Sequence, residues 1–304
     1  MWFDPATVRT VRDAFPEWAA FVFAFFSYLG SVWFVAPAVV LAFYFGPRDR
    51  FASWIGIVMG AYAIMVGTKG YFEVDRPGVG PAIAPETLPV GIQHVYAPLV
   101  EVSSTSFPSG HAMAGTAIWT MLALETDVGT RRLRLAGGAV LIVAIAVSRI
   151  AVGLHYPIDV VAGVAVALAY LVVILWLRER VRAERDARAA TEAVFVAVAA
   201  VSFASFLVGG RVDAAALFGG SLGCLLAWRY APPPREPWSF EPRRLGHGLL
   251  GIAALATGAA VILVVERTVV WFGLGLFAGA LTVGLPRIAE VAVGEADARA
   301  GVVD

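Results

Sequence analysis

The sequence predicts an all-α protein, a polytopic membrane helix bundle of about nine transmembrane helices. Of its 304 residues, 59% are apolar and only 15% charged, where a soluble domain carries about 45–50% and about 25%. Mean hydropathy is +0.77. Apolar runs of the roughly 20 residues that a membrane crossing needs recur from end to end. A chain this apolar cannot clothe a globule in polar surface, so the bilayer is its expected partner. Lysine plus arginine (23) balance aspartate plus glutamate (23), and no basic excess points to nucleic acid. The single cysteine, Cys224, rules out both a disulfide framework and a cysteine-based metal site.

Ahead of the first apolar run, Trp2, Phe3, Phe15 and Trp18 interleave with charges, which fits a segment lying at headgroup level and equally a plain disordered start. The first run, near 19–45, is too long for a signal-peptide core, and Asp4 and Asp13 offset Arg9 and Arg12 before it, so it reads as a retained span. Further runs lie near 51–68, 110–124, 133–153, 158–177, 193–209, 213–229, 246–265 and 268–285, each bounded by charges, prolines or glycines. The third, seventh and ninth are short, glycine-rich or interrupted by polar residues. Residues 178–192 (RERVRAERDARAATE) are expected to carry the fifth helix into water as a solvated connector. Residues 231–244 (APPPREPWSFEPRR) hold too much proline to be helical throughout. The chain thus divides into a five-span core (1–180), a charged linker (181–192) and an additional membrane region of about four spans (193–304). Gly219 with Gly223, and Gly275 with Gly279, have the small-xxx-small spacing that lets helices approach closely.

Three polar clusters break the apolar pattern. Lys69 is the only lysine, and Arg76-Pro77 follows it in the pattern K-x6-R-P. Taken alone, the pair reads equally well as two cations snorkelling at a membrane edge. The second cluster, Ser106-Phe107-Pro108-Ser109-Gly110-His111, opens the third span. Proline then serine ahead of an apolar run starts a helix, whose first-turn amides are free to meet an anion. Gly110 permits close approach, Ser109 adds a hydroxyl, and His111 stands at the rim as a proton donor; an ordinary cap beside an interfacial histidine is the competing reading. The third cluster is Ser148-Arg149 with His155 and Asp159, within SRIAVGLHYPID. A charge such as Arg149 at the end of an apolar helix is expensive and calls for a partner or a job. Pro157 starts the next helix, which places His155 in the turn and Asp159 in the first helical turn, near the positive end of the dipole. An ionised Asp159 there accepts the proton on one ring nitrogen of His155 and leaves the other free to attack. A capping aspartate beside a structural histidine fits the same spacing but leaves Arg149 unexplained.

The second span ends, the third begins, the fourth ends and the fifth begins on one membrane face, so the three clusters can meet. Three cations, a helix N-terminus and two histidines, without a carboxylate cluster or a cysteine, describe a phosphoryl site that needs neither metal nor cofactor. The lesser candidates are His94, a surface histidine in the loop 71–105; His247, a cap or interhelical hydrogen bond; Glu73 and Asp75, either ion-paired with Lys69 and Arg76 or solvated; and Arg211 with Asp213, a polar turn.

At these residues the chain resembles the integral-membrane type 2 phosphatidic acid phosphatases, related in their site to vanadium haloperoxidases. The family motifs K-x6-R-P, P-S-G-H and S-R-x5-H-x3-D are matched at every fixed position by Lys69, Arg76 and Pro77; Pro108, Ser109, Gly110 and His111; and Ser148, Arg149, His155 and Asp159. The resemblance covers roughly residues 50–175. It implies that His155 is a nucleophile forming a phosphohistidine, Asp159 its orienter and His111 the acid for the leaving oxygen. Lys69, Arg76, Ser109, Gly110 and Arg149 would bind the phosphoryl oxygens. The family commonly has six spans with the first motif after the third, whereas only two precede it here.

The expected function is therefore hydrolysis of a lipid phosphate: phosphatidate, phosphatidylglycerol phosphate or a polyprenyl diphosphate. A lipid-binding or lipid-transport protein using the same cations is the alternative, but it would not need the His155–Asp159 pair. Arginines crowd the ends opposite the site (Arg48, Arg50; Arg131, Arg132, Arg134; Arg178, Arg180, Arg182, Arg185, Arg188), whereas the site side of the first five spans has Arg9, Arg12, Lys69, Arg76 and Arg149. Positive loops mark the cytoplasm, so the site is expected on the extracytoplasmic side of the cell membrane and the carboxy terminus inside.

Overall fold

The structure, a computed structural model, describes residues 3–101, 104–234, 237 and 268–300. Every α-helix, strand or 3-10 element among them is helical. In chain order the α-helices are α1 (Pro5–Asp13), α2 (Ala19–Tyr28), α3 (Val32–Phe45), α4 (Arg48–Phe72), α5 (Val90–Val100), α6 (Gly110–Glu125), α7 (Arg131–Ala151), α8 (Pro157–Glu184), α9 (Ala187–Gly209), α10 (Val212–Tyr230) and α11 (Thr268–Ala300). Five of these, α4, α7, α8, α9 and α11, are long and apolar enough to cross a membrane. A sixth crossing follows if α2 and α3 form one span bent by 40°.

The difference from nine crossings has particular causes. The first apolar run is broken at Leu29–Ser31, where Gly30 packs against the His111 carbonyl so closely that a Cβ there would come within 2.6 Å of it. Helix α6 has 16 residues, short of the roughly 20 that span the hydrocarbon layer. The run near 246–265, with His247, lies outside the described residues.

The chain forms two compact units: residues 1–38 with 64–173, and residues 39–63 with the chain from 174 onward. In the first, α2, α5, α6 and α7 surround the polar clusters. Asp4 caps α1, accepting from the Ala6 amide at 3.0 Å, and Val8 is wholly buried. Phe3, just ahead of this helix, meets the rings of Tyr156 and Phe107 edge-on, 5.3 and 6.3 Å between centroids. The amino-terminal segment therefore lies beside two of the three clusters, and Arg12 secures it by donating to the Val79 carbonyl at 3.0 Å.

In the second unit, α8 does run on to Glu184, and Asp186 then starts α9, accepting from the Ala189 amide at 2.7 Å. The charged stretch is thus mostly helical. Gly219 and Gly223 lie against the backbone of α11 at Phe272 and Leu276, and Gly275 and Gly279 against Ala216 and Gly220 of α10, so closely that a Cβ at any of the four would clash. The small-residue spacing is a packing seam. Arg211 donates to Asp213 at 2.9 Å in the turn before α10.

Candidate active site

All three clusters meet within the first unit. Helix α7 ends where Gly153, at φ +81°, takes the left-handed conformation that terminates helices. A Cβ on Gly153 would also run into the backbone of Gly80, so only glycine lets the chain turn here. The turn places the His155 amide 3.2 Å from the Arg149 carbonyl. Pro157 then opens α8 and puts Asp159 at its third position, where its Oδ2 reaches back to the Tyr156 amide at 2.8 Å. This is the carboxylate half of a capping box. The same oxygen lies 3.2 Å from His155 Nδ1. With the Nδ1 proton directed at Asp159, Nε2 carries the lone pair.

The SFPSGH segment closes on this pair. Ser109 is the N-cap of α6, its Oγ accepting weakly from Ala112 at 3.5 Å and its own amide donating to the Asp159 carbonyl at 3.0 Å. The first-turn amides of Gly110 and His111 follow. Burial, reinforced by the charges of Arg149, Arg76 and Lys69, holds the His111 pKa well below the ordinary imidazole value. Ser106 is wholly buried; its Oγ donates to Asp159 Oδ2 and lies 3.4 Å from His155 Nδ1.

The cations are held by peptide carbonyls. Lys69, buried at the end of α4, donates to the carbonyls of Thr105 and, at 3.4 Å, Ser106. Arg76 Nε donates to the Ser104 carbonyl at 2.6 Å, and Nη1 to the Leu154 carbonyl at 2.8 Å. Nη1 is also 3.2 Å from His155 Nε2. Burial lowers the Arg76 pKa to about 10, against the opposing pull of Asp159, which leaves it charged at neutral pH. Arg149 is fully buried and donates through Nη1 to the Leu99 carbonyl at 3.1 Å, while its Nε and Nη2 have no hydrogen-bond partner among the described residues. An uncompensated buried cation costs several kcal/mol, so two open donors on Arg149 are a place for an anion.

Burial, reinforced by Arg149, Arg76, Lys69 and His111, holds the His155 pKa well below the ordinary imidazole value. Nε2 is accordingly unprotonated at neutral pH. Among the described residues, no group of three or more His, Cys, Asp or Glu side chains could hold a metal ion.

The structure thus brings Lys69, Arg76, Ser109, Gly110, His111, Arg149, His155 and Asp159 to one place. His94 is exposed on α5, its Nδ1 2.6 Å from the Val90 carbonyl. Glu73 and Asp75 are exposed too, Glu73 at φ 46°. Sequence reasoning did not identify the carbonyls of Leu99, Ser104, Thr105 and Leu154 that orient the cations, because backbone acceptors carry no side-chain signature. Next to the site, an apolar groove of about 580 Å³ opens between α2 and α5, lined by Phe21, Phe25, Ile92, Val95 and Leu99 among others.

Comparison with known proteins agrees with this geometry. Residues 50–183 match the model of the PAP2 superfamily. A decaprenylphosphoryl-5-phosphoribose phosphatase of Mycolicibacterium smegmatis is 36% identical over 114 residues, covering 36% of this chain and 52% of that protein. The chain therefore spans about half the length of the curated relative it matches. No solved structure matches it. The matched segment begins in α4 and ends in α8, and so contains every residue of the three clusters: over residues 50–183 the chain is similar to the PAP2 superfamily.

Proposed function

We propose that the protein is a membrane phosphatase that hydrolyses a phosphomonoester or diphosphate carried on a lipid, through a phosphohistidine on His155 and without a metal. The observation that carries this reading is Arg149, a fully buried guanidinium with two open donors beside an unprotonated His155. Lys69, Arg76, Arg149 and the amides of Gly110 and His111 supply fixed positive charge for the phosphoryl oxygens. Removing one such donor typically costs about 100- to 1000-fold in rate. In the first step Nε2 of His155 bonds to phosphorus, the bond from phosphorus to the leaving oxygen breaks, and His111, which takes up a proton when the anionic substrate offsets the surrounding cations, gives that oxygen the proton. In the second, water gives its proton to His111 and attacks the phosphohistidine, releasing phosphate and restoring His155. Asp159 holds the Nδ1 proton throughout. Ser109 is assigned to the phosphate cradle through its place at the head of α6.

A lipid substrate is supported by the adjoining groove. Leu99 lines it, and the carbonyl of Leu99 receives Arg149, so a phosphate on Arg149 is within a few residues of a surface suited to hydrocarbon. The matched relative's name specifies a decaprenylphosphoryl sugar phosphate, which places polyprenyl-linked phosphates first on the panel, ahead of phosphatidate and phosphatidylglycerol phosphate. The test is phosphate release from that panel in excess chelator, wild type against His155→Ala. Release by the wild type and none by the variant is expected, with rapid quenching trapping an acid-labile, base-stable phosphoryl label. Full activity in the variant, or activity lost to chelator and restored by magnesium, would overturn the mechanism.

A further inference from the structure

Ser106 lies just ahead of the P-S-G-H segment and meets all three clusters. Its amide donates to the Val74 carbonyl at 2.7 Å, in the strand of chain between Lys69 and Arg76. Its carbonyl receives Lys69 Nζ at 3.4 Å. Its hydroxyl, wholly buried, donates to Asp159 Oδ2, the oxygen that also faces His155 Nδ1 and the Tyr156 amide. The other carboxylate oxygen, Oδ1, is buried without a hydrogen-bond partner among the described residues. All the hydrogen bonding of Asp159's side chain therefore converges on a single oxygen, and Ser106 is the one side-chain hydroxyl in that set.

We infer that Ser106 is a positioning residue, the third member of a Ser106–Asp159–His155 relay that fixes which carboxylate oxygen and which imidazole tautomer are used. The physical argument is one of degeneracy. A carboxylate with two free oxygens can rotate and offer either to the imidazole. Donors from Tyr156 and Ser106 on Oδ2 hold the group in one orientation, and they spread its charge over three bonds. That tempers the pull on the Nδ1 proton and favours a neutral imidazole with its lone pair on Nε2. The cations facing the pair from other elements, Lys69, Arg76 and Arg149, act in the same direction, as does His111.

This inference rests on the phosphatase reading for its kinetics, so its test includes a readout that does not need turnover. Ser106→Ala should lower kcat by about 10- to 100-fold, the range that loss of an outer hydrogen bond to a functional histidine costs in metal sites, with KM changed less than about threefold. Ser106→Thr, which keeps the hydroxyl, should recover most of kcat. In the alanine variant Asp159 draws the Nδ1 proton more strongly, so the His155 titration should move upward. With only four histidines in the chain, ¹⁵N-histidine spectra in nanodiscs, assigned with His155→Asn, follow that titration whether or not a substrate is known. An unmoved His155 titration in a folded Ser106→Ala protein would overturn the relay, as would equal losses in the alanine and threonine variants. Absence of turnover in the wild type with a shifted titration would instead refute the phosphatase reading and leave the relay standing.

Discussion

His155 is kept neutral by burial and by four positively charged or protonatable neighbours, and this has two measurable signs. The folded state resists taking up a proton that the unfolded chain accepts near pH 6.5, so between pH 6.5 and the depressed folded value the unfolded state binds more protons. Stability should therefore hold above about pH 6.5 and fall as the pH drops below it. His155→Asn should reduce that dependence in thermal unfolding measured from pH 7.5 to 5, leaving the part that comes from His111, which burial depresses in the same way. The acid limb of kcat/KM, which reports free-enzyme groups, should likewise lie below pH 6.5. A limb at or above that value would mean that the cations around the histidine do not act on it as their placement implies.

Much of this residue-scale arrangement was legible in the sequence. Pro157 and Asp159 announce a helix start, and a helix start two residues after His155 fixes the pair's geometry. Lys69 and Arg149 were conspicuous as charges at the ends of apolar runs. Ser106 carries no such signal, because its partner, Asp159, is 53 positions away and only the folded chain brings them together.

At the scale of elements, the sequence showed the long runs and concealed the short helices. Helix α5 has 11 residues with Pro98 inside it, too short for a periodic signal and carrying a residue that argues against a helix. It nevertheless forms one wall of the apolar groove and supplies the Leu99 carbonyl to Arg149. The bend between α2 and α3 was hidden because hydropathy records composition, whereas the break arises from a close approach at Gly30. The groove gives this part of the fold its own test. Ile92 is 48% exposed, so Ile92→Trp can fill the groove without disturbing the core. It should lower kcat/KM for a long-chain lipid phosphate at least about tenfold and leave a water-soluble aryl phosphate unaffected. Equal effects on both substrates would separate the groove from substrate binding.

Across the whole molecule the governing question is which side of the bilayer the site faces. On the five-span reading of the sequence, which counts α6 as a short crossing, the arginine-rich ends fall opposite the three clusters, and positive loops are retained in the cytoplasm. The site should therefore face outward. Cys224 is buried, and replacing it by alanine gives a background for single cysteines at two exposed positions, Glu86 before α5 and Thr130 before α7. An impermeant maleimide applied to intact cells should label position 86 and spare position 130; the reverse pattern would put turnover on the inner leaflet. On the proposed mechanism, the resting contact between Arg76 Nη1 and His155 Nε2 would act as a catch. The lone pair meant for phosphorus would already be engaged by an N–H, so a neutral electrophile dissolved in the membrane would find the imidazole shuttered. Only an anion able to draw the guanidinium aside would uncover it, and the charge that identifies the substrate would then also be the charge that arms the nucleophile.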